Sequence, residues 1–136
     1  MLVKKIKYTD FDGVEREEDF YFNLSKNELI EWELSVEGGL KAFIEGIVMS
    51  KDIPKIAEQF KKLILKSYGE KSPDGKRFIK SEELSKAFSE TNAYDELYMS
   101  FFGPDGGSKA ADFVVGILPP DMKVDDRLRA AVPVSR

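Results

Sequence analysis

Two windows of the chain carry apolar residues at relative positions 0, 3, 4, 7 and 8, the spacing that lines one face of an α-helix. Leu40, Phe43, Ile44, Ile47 and Val48 form the first; Tyr94, Leu97, Tyr98, Phe101 and Phe102 form the second. Between them, Ile53, Ile56, Ala57, Phe60, Leu63 and Ile64 predict another helix. Asp52 stands at its N-cap, Pro54 lies in its first turn and Gly69 is its expected stop. Leu29, Ile30, Trp32, Leu34 and Val36 follow the Ser25/Glu28 capping-box pair and predict a helix ending at Gly38-Gly39.

The first 22 residues read differently. Val3, Ile6 and Tyr8 partly alternate with lysines, and "DFYF" at 19–22 is strand-prone. Asp12-Gly13 between them predicts the tight turn of a β-hairpin, because glycine takes positive φ without steric cost. Ser81 is expected to cap a short helix bearing Leu84, Ala87 and Phe88, and Asn92 to cap the helix with the second stripe. "GPDGGSK" breaks the chain, and "AADFVVGIL" predicts a last short helix ended by Pro119-Pro120. The predicted fold is mainly α (α+β), an N-terminal hairpin followed by five to six short helices. Residues 1–118 form one domain, and 119–136 a flexible C-terminal tail.

Composition narrows the chemistry. With 136 residues the chain is long enough to bury a core, and its apolar and charged shares of 42% and 34% are those of a folded domain. No apolar run approaches the ~18 residues of a membrane span, and no signal peptide is evident, so the cytoplasm is the expected compartment. The absence of cysteine excludes disulfides and thiolate metal sites. Histidine is absent too, which removes the commonest general base and zinc ligand. A net charge of −4 argues against a general nucleic-acid binder. The charge is uneven: −5 over residues 1–50, +4 over 51–82 and −3 over 83–136. Such a pattern fits either solvated helix faces or head-to-tail self-association.

One stretch, "SPDGKRFIKSEEL" at 72–84, has the look of a calcium-binding EF-hand loop. With Gly75 at the sixth position, Glu70, Ser72 and Asp74 take positions one, three and five, but the twelfth falls on Ser81, one residue before Glu82. Lys71, Lys76, Arg77 and Lys80 also crowd the loop with positive charge. Registering the motif on Gly13 fails as well, with Tyr8 first and Asp19 last. The segment is expected to be a turn between helices that tucks Phe78-Ile79 into the core, with no metal and no cofactor. No phosphate-binding loop appears, and Glu82-Glu83 at a helix start suits the helix dipole better than catalysis. No catalytic residue is therefore expected. The stripe Tyr94, Leu97, Tyr98, Phe101 and Phe102 is the candidate partner-binding site, its other reading being ordinary core.

The segments "YTDFDG" at 8–13, "FYFNLSKNEL" at 20–29, "ILKSYGEKSPDGKRFIKS" at 64–81 and "LSKAFSETNAYDEL" at 84–97 resemble the small tail assembly chaperones of long-tailed siphophages. The resemblance covers about residues 5–102, and "YGEKSPDGKRFIKS" is its most specific part. It implies a non-enzymatic protein that coats the helical phage tape measure protein in the infected cell. Tail tube subunits then displace it, and it is absent from the finished virion. Many members are made in a short and a frameshifted longer form. The family has no catalytic residues to transfer, and Tyr68, Gly69, Ser72, Asp74, Gly75 and Phe78 are explained as helix stop, turn and core plug. The competing classes are a structural minor tail or adaptor protein retained in the virion and, for want of catalytic groups less well supported, a small phage enzyme.

Overall fold

Alternation in the first 22 residues does build a hairpin. A computed structural model describes residues 1–35, 38–49, 53–102 and 105–119, with the backbone alone at 48–49 and 53–56. Strand β1 (Leu2–Thr9) pairs antiparallel with β2 (Glu15–Phe22), from Leu2 opposite Phe22 to Thr9 opposite Glu15. The connection is a three-residue loop: Asp10 N donates to Val14 O and Gly13 N to Asp10 O, with Gly13 at φ 81°. Glycine supplies the left-handed bulge residue that this loop needs. The Asp10 carboxylate fixes the loop by accepting from Asp12 N, Val14 N and Arg16 Nε, at 2.9, 2.9 and 2.6 Å. These bonds, Arg16's first, hold its pKa below the usual carboxylate range.

The capping box forms. Glu28 N donates to Ser25 Oγ at 3.2 Å and Ser25 N to Glu28 Oε1 at 3.0 Å, opening α1 (Lys26–Ser35). Leu29 and Trp32 face the core, whereas Ile30 and Leu34 lie exposed; Val36 is outside the described residues. Gly38 and Gly39 both have positive φ where the chain turns into α2 (Gly39–Met49), which buries Leu40, Phe43, Ile44 and Ile47. Helix α3 (Ile53–Ser67) buries Phe60, Leu63 and Ile64. Its expected cap, Asp52, lies outside the described residues.

At Gly69 the structure departs from the sequence reading. Helix α3 ends at Ser67, and Tyr68–Lys71 is strand β3, with Tyr21 opposite Gly69 and Phe22 opposite Tyr68. Strand β4 (Phe78–Ile79) pairs with β3, so the expected turn between helices is a second hairpin, and the sheet has the order β1-β2-β3-β4. Gly69 is not a left-handed stop. A Cβ there would meet Ile79 O at 2.6 Å and the Phe78 ring at 2.7 Å, so glycine permits the strand to approach. Strands of four and two residues are too short to show a period. Phe78 and Ile79 are half-buried and outside the core cluster, so they do not plug it as expected.

Helix α4 (Glu82–Ser89) is capped as expected, Leu84 N donating to Ser81 Oγ at 3.0 Å. Helix α5 (Asn92–Met99) takes Thr91 rather than Asn92 as its cap, Thr91 Oγ1 accepting from Tyr94 N at 3.2 Å. Asn92 Nδ2 is used elsewhere, donating to Thr9 O at 2.8 Å. A 3₁₀ turn at Ser100–Phe102 follows, then α6 (Gly106–Ile117), which begins within "GPDGGSK" rather than after it. Leu118 and Pro119 are buried; the rest of the expected tail lies outside the described residues.

The helices pack on the sheet face that carries Ile6, Phe20 and Phe22, leaving the opposite face with Lys5, Lys7, Glu17 and Asp19 exposed. Aromatic rings knit the core: Phe88 stacks on Tyr68 at 4.2 Å, and Phe113 meets Phe22, Phe60 and Phe101 edge-on at 5.2, 5.8 and 5.6 Å. Lys80 Nζ donates to Glu28 Oε1 and ties the second hairpin to the start of α1 across 52 positions. Burial opposes both charges. At Glu28 the bonds from Lys80 and Ser25 outweigh it and lower the pKa, whereas at Lys80 burial prevails and lowers the ammonium pKa. Among the described residues, no helix is long and apolar enough to cross a membrane.

Candidate functional site

The five-residue stripe is divided by the fold. Tyr94, Leu97 and Phe101 are buried in the common core, Phe101 meeting Phe60 edge-on at 4.7 Å. Tyr98 is half-buried, and Phe102 is 49% exposed. A ladder of rings runs outward through both: Phe88 to Tyr94 at 5.6 Å, Tyr94 to Tyr98 at 5.9 Å, Tyr98 to Phe102 at 5.0 Å. The surface pair thus stands on a packed base. Met99, next to Tyr98 in the chain, is 63% exposed. The helical spacing missed Met99 because the chain tightens to a 3₁₀ turn at Ser100, where residues three apart eclipse. Met99 and Phe102 are three apart.

Tyr94 shows how firmly the base is built. Its hydroxyl is buried with no hydrogen-bond partner among the described residues. Burial first, then the Tyr98 and Asp95 charges, push its pKa up to about 12. The neutral phenol is therefore favoured by folding. Its stabilising contribution is full below the ordinary value near 10 and is lost progressively as pH rises towards 12. Tyr94→Phe is expected to leave neutral-pH stability equal or raised, since it deletes an unpaired buried hydroxyl. Between pH 10 and 12 the wild type should lose about 1–2 kcal/mol relative to the variant, solvent screening reducing the full shift. Urea unfolding of both proteins across that range checks this; parallel pH profiles would contradict it.

The EF-hand-like segment engages its oxygens internally. Ser72 Oγ donates to Asp74 Oδ1 at 2.7 Å, Lys76 N donates to the same oxygen at 3.0 Å, and Arg77 N donates to Ser72 Oγ at 3.0 Å. The Ser72 bond, then that of Lys76 N, lowers the Asp74 pKa. Gly75 sits at φ 75° with nothing near its missing Cβ, so a β-branched residue would cost about 1–3 kcal/mol through backbone strain alone. Among the described residues, no three acidic groups converge as metal ligands would.

Two further exposed apolar groups escaped the sequence reading. Phe11 stands 80% exposed at the tip of the first hairpin, and Ile30 and Leu34 lie one turn apart on α1. The available signal was an apolar residue between Asp10 and Asp12 and, on α1, two residues off the Leu29–Trp32 line.

No curated protein and no solved structure matches the chain. A family model described as phage tail assembly chaperone matches residues 1–134, nearly the whole sequence and well beyond the segments that carried the resemblance. The chain belongs to the phage tail assembly chaperone family.

Proposed function

We propose that this chaperone binds the phage tape measure protein and keeps it soluble while the tail is built, acting through its surface and not by catalysis. The observation that carries this reading is the rigidly backed patch of Tyr98, Met99 and Phe102. Aromatic and methionine side chains on a fixed base suit the apolar face of a long amphipathic helix, and methionine adapts to varied partners. Tail tube protein displaces the chaperone as it polymerises. The uneven charge along residues 1–50 and 51–82 supports self-association along the partner. The protein acts in the cytoplasm of a host infected by a siphophage and leaves before the virion is complete.

Replacing Tyr98 and Phe102 together with Ser is expected to abolish co-purification of co-expressed tape measure protein while the circular dichroism spectrum stays unchanged. Met99→Ser, at a more exposed position, should weaken capture alone. A folded double variant that still solubilises the tape measure protein would refute this binding site. In the same preparations, sedimentation should show smaller species at high salt, because exposed charges are screened beyond about 8–10 Å. Finding the protein in purified virions would favour a structural tail or adaptor role instead.

A further inference from the structure

We infer that copies of this chain associate head to tail, the outer side of α1 in one copy docking on the outer sheet face of the next around Tyr21 and Phe78. The inference rests on the self-association part of the reading above and assigns it two surfaces. The first is on α1. Ile30 and Leu34 lie one turn apart, 52% and 83% exposed, and helical spacing sets the exposed Glu31 and Glu33 on the two flanks of their line. Leu29 and Trp32 reach the core from another side of the helix, so this line contributes little to the fold. The second surface lies on the sheet face turned away from the helices. Val3 pairs with Tyr21 and Tyr21 with Gly69, which sets the three in one row on that face. Lys71 and Phe78, also paired, share the face, and the Phe78 ring folds over Gly69, 2.7 Å from where a Cβ would stand. Val3, Tyr21 and Phe78 therefore make one apolar block, with Val3 46% exposed and both rings half-buried.

Charge selects a second copy as the occupant. Lys71 stands over the Tyr21 ring, its Nζ 5.8 Å from the centre, and Lys76 and Arg77 are exposed at the turn beside Phe78. Among the described residues, Glu31, Glu33, Lys71, Lys76 and Arg77 have no ion-pair partner. An apolar line between two acids thus meets an apolar block among three bases. One chain cannot make this contact within itself. Glu28 accepts from Lys80, whose Nζ also lies 5.8 Å from the Phe78 ring centre, so α1 already touches the second hairpin. It does so by the Glu28 side, and helical spacing turns Ile30 and Leu34 away from it. Two unlike surfaces make the contact heterologous, so copies add in a row. A contact built on two apolar side chains is weak, and copies held on one long partner reinforce it through effective concentration.

The test is sedimentation of the full chain over a wide concentration range at low salt. Ile30→Ser/Leu34→Ser removes the helix surface and Lys71→Glu/Arg77→Glu the sheet surface, all four at exposed positions. Each double variant is expected to weaken association at least about tenfold. An equimolar mixture of the two should form heterodimers and nothing larger, because the intact sheet face of one still meets the intact helix face of the other. Glu31→Lys/Glu33→Lys should lose association as well, and adding Lys71→Glu/Arg77→Glu to the same chain should restore it. This exchange of charges keeps the test decisive if the serine variant does not fold. Wild-type association in any of the double variants, or a mixture that stays monomeric, would overturn the inference and leave self-association standing. A wild type that is monomeric at every concentration would remove the self-association reading itself, and this inference with it.

Discussion

Phe22→Ala is expected to destabilise the protein by about 3–5 kcal/mol, the usual cost of deleting a buried ring. Phe22 is fully buried near the end of β2. Its ring meets Phe113 of α6 at 5.2 Å, and Tyr68 of β3 and Phe88 of α4 at 5.8 Å each. The cavity would therefore open where the sheet and two helices converge, and no single element can move to fill it. Against a typical total of roughly 5–15 kcal/mol this is a large share. The melting temperature should fall by roughly 10–20 °C. Phe20→Ala, at a half-buried position on the same strand face, should cost clearly less. Equal losses at the two sites would show that the core is not centred where the rings meet.

Gly106→Ala is expected to destabilise against its own helix propensity. In an ordinary helical position this change gains about 0.5–1 kcal/mol. Gly106 opens α6 beneath the 3₁₀ turn, and an added Cβ would lie 2.1 Å from Phe101 O and 2.6 Å from its carbonyl carbon. Those atoms are backbone and cannot rotate away. Either the turn or the helix start must shift, at a cost of about 3 kcal/mol, the upper part of the overpacking range. The displaced turn carries Phe101 into the core and Phe102 at the surface, so capture of the proposed partner should weaken alongside stability. Gly106 does not have positive φ, unlike Gly75, which makes steric approach the whole of the effect. Urea unfolding of the variant checks the sign, and a gain in stability would mean the contact relaxes freely.

Local chemistry made much of this protein legible from its residues. Ser25 with Glu28 and Ser81 at a helix start act within four positions, so their caps form as read. Gly13 and Gly75 mark left-handed turns because their backbone conformation depends only on neighbours. The buried residues Leu40, Phe43, Ile44 and Ile47 of α2 and Phe60, Leu63 and Ile64 of α3 follow from spacing, while Val48, Ile53 and Ile56 of the same faces have side chains outside the described set. The sequence by itself also carried the family, through segments since matched across residues 1–134.

Tertiary contacts decided the rest. Ile30 and Leu34 sit on a helix whose core contact is made by Leu29 and Trp32, so hydrophobic identity did not determine burial. The stripe from Tyr94 to Phe102 satisfies one spacing rule, yet α3 and α6 cover only part of it, and Met99 outside the stripe is exposed as well. Gly69 reads as a helix stop until Ile79 and Phe78 fold back across it. Strand β3 exists because β2 offers it an edge. Periodicity and capping are set by residues a few positions apart. Exposure, strand pairing and close backbone approach depend on residues that only the folded chain brings together.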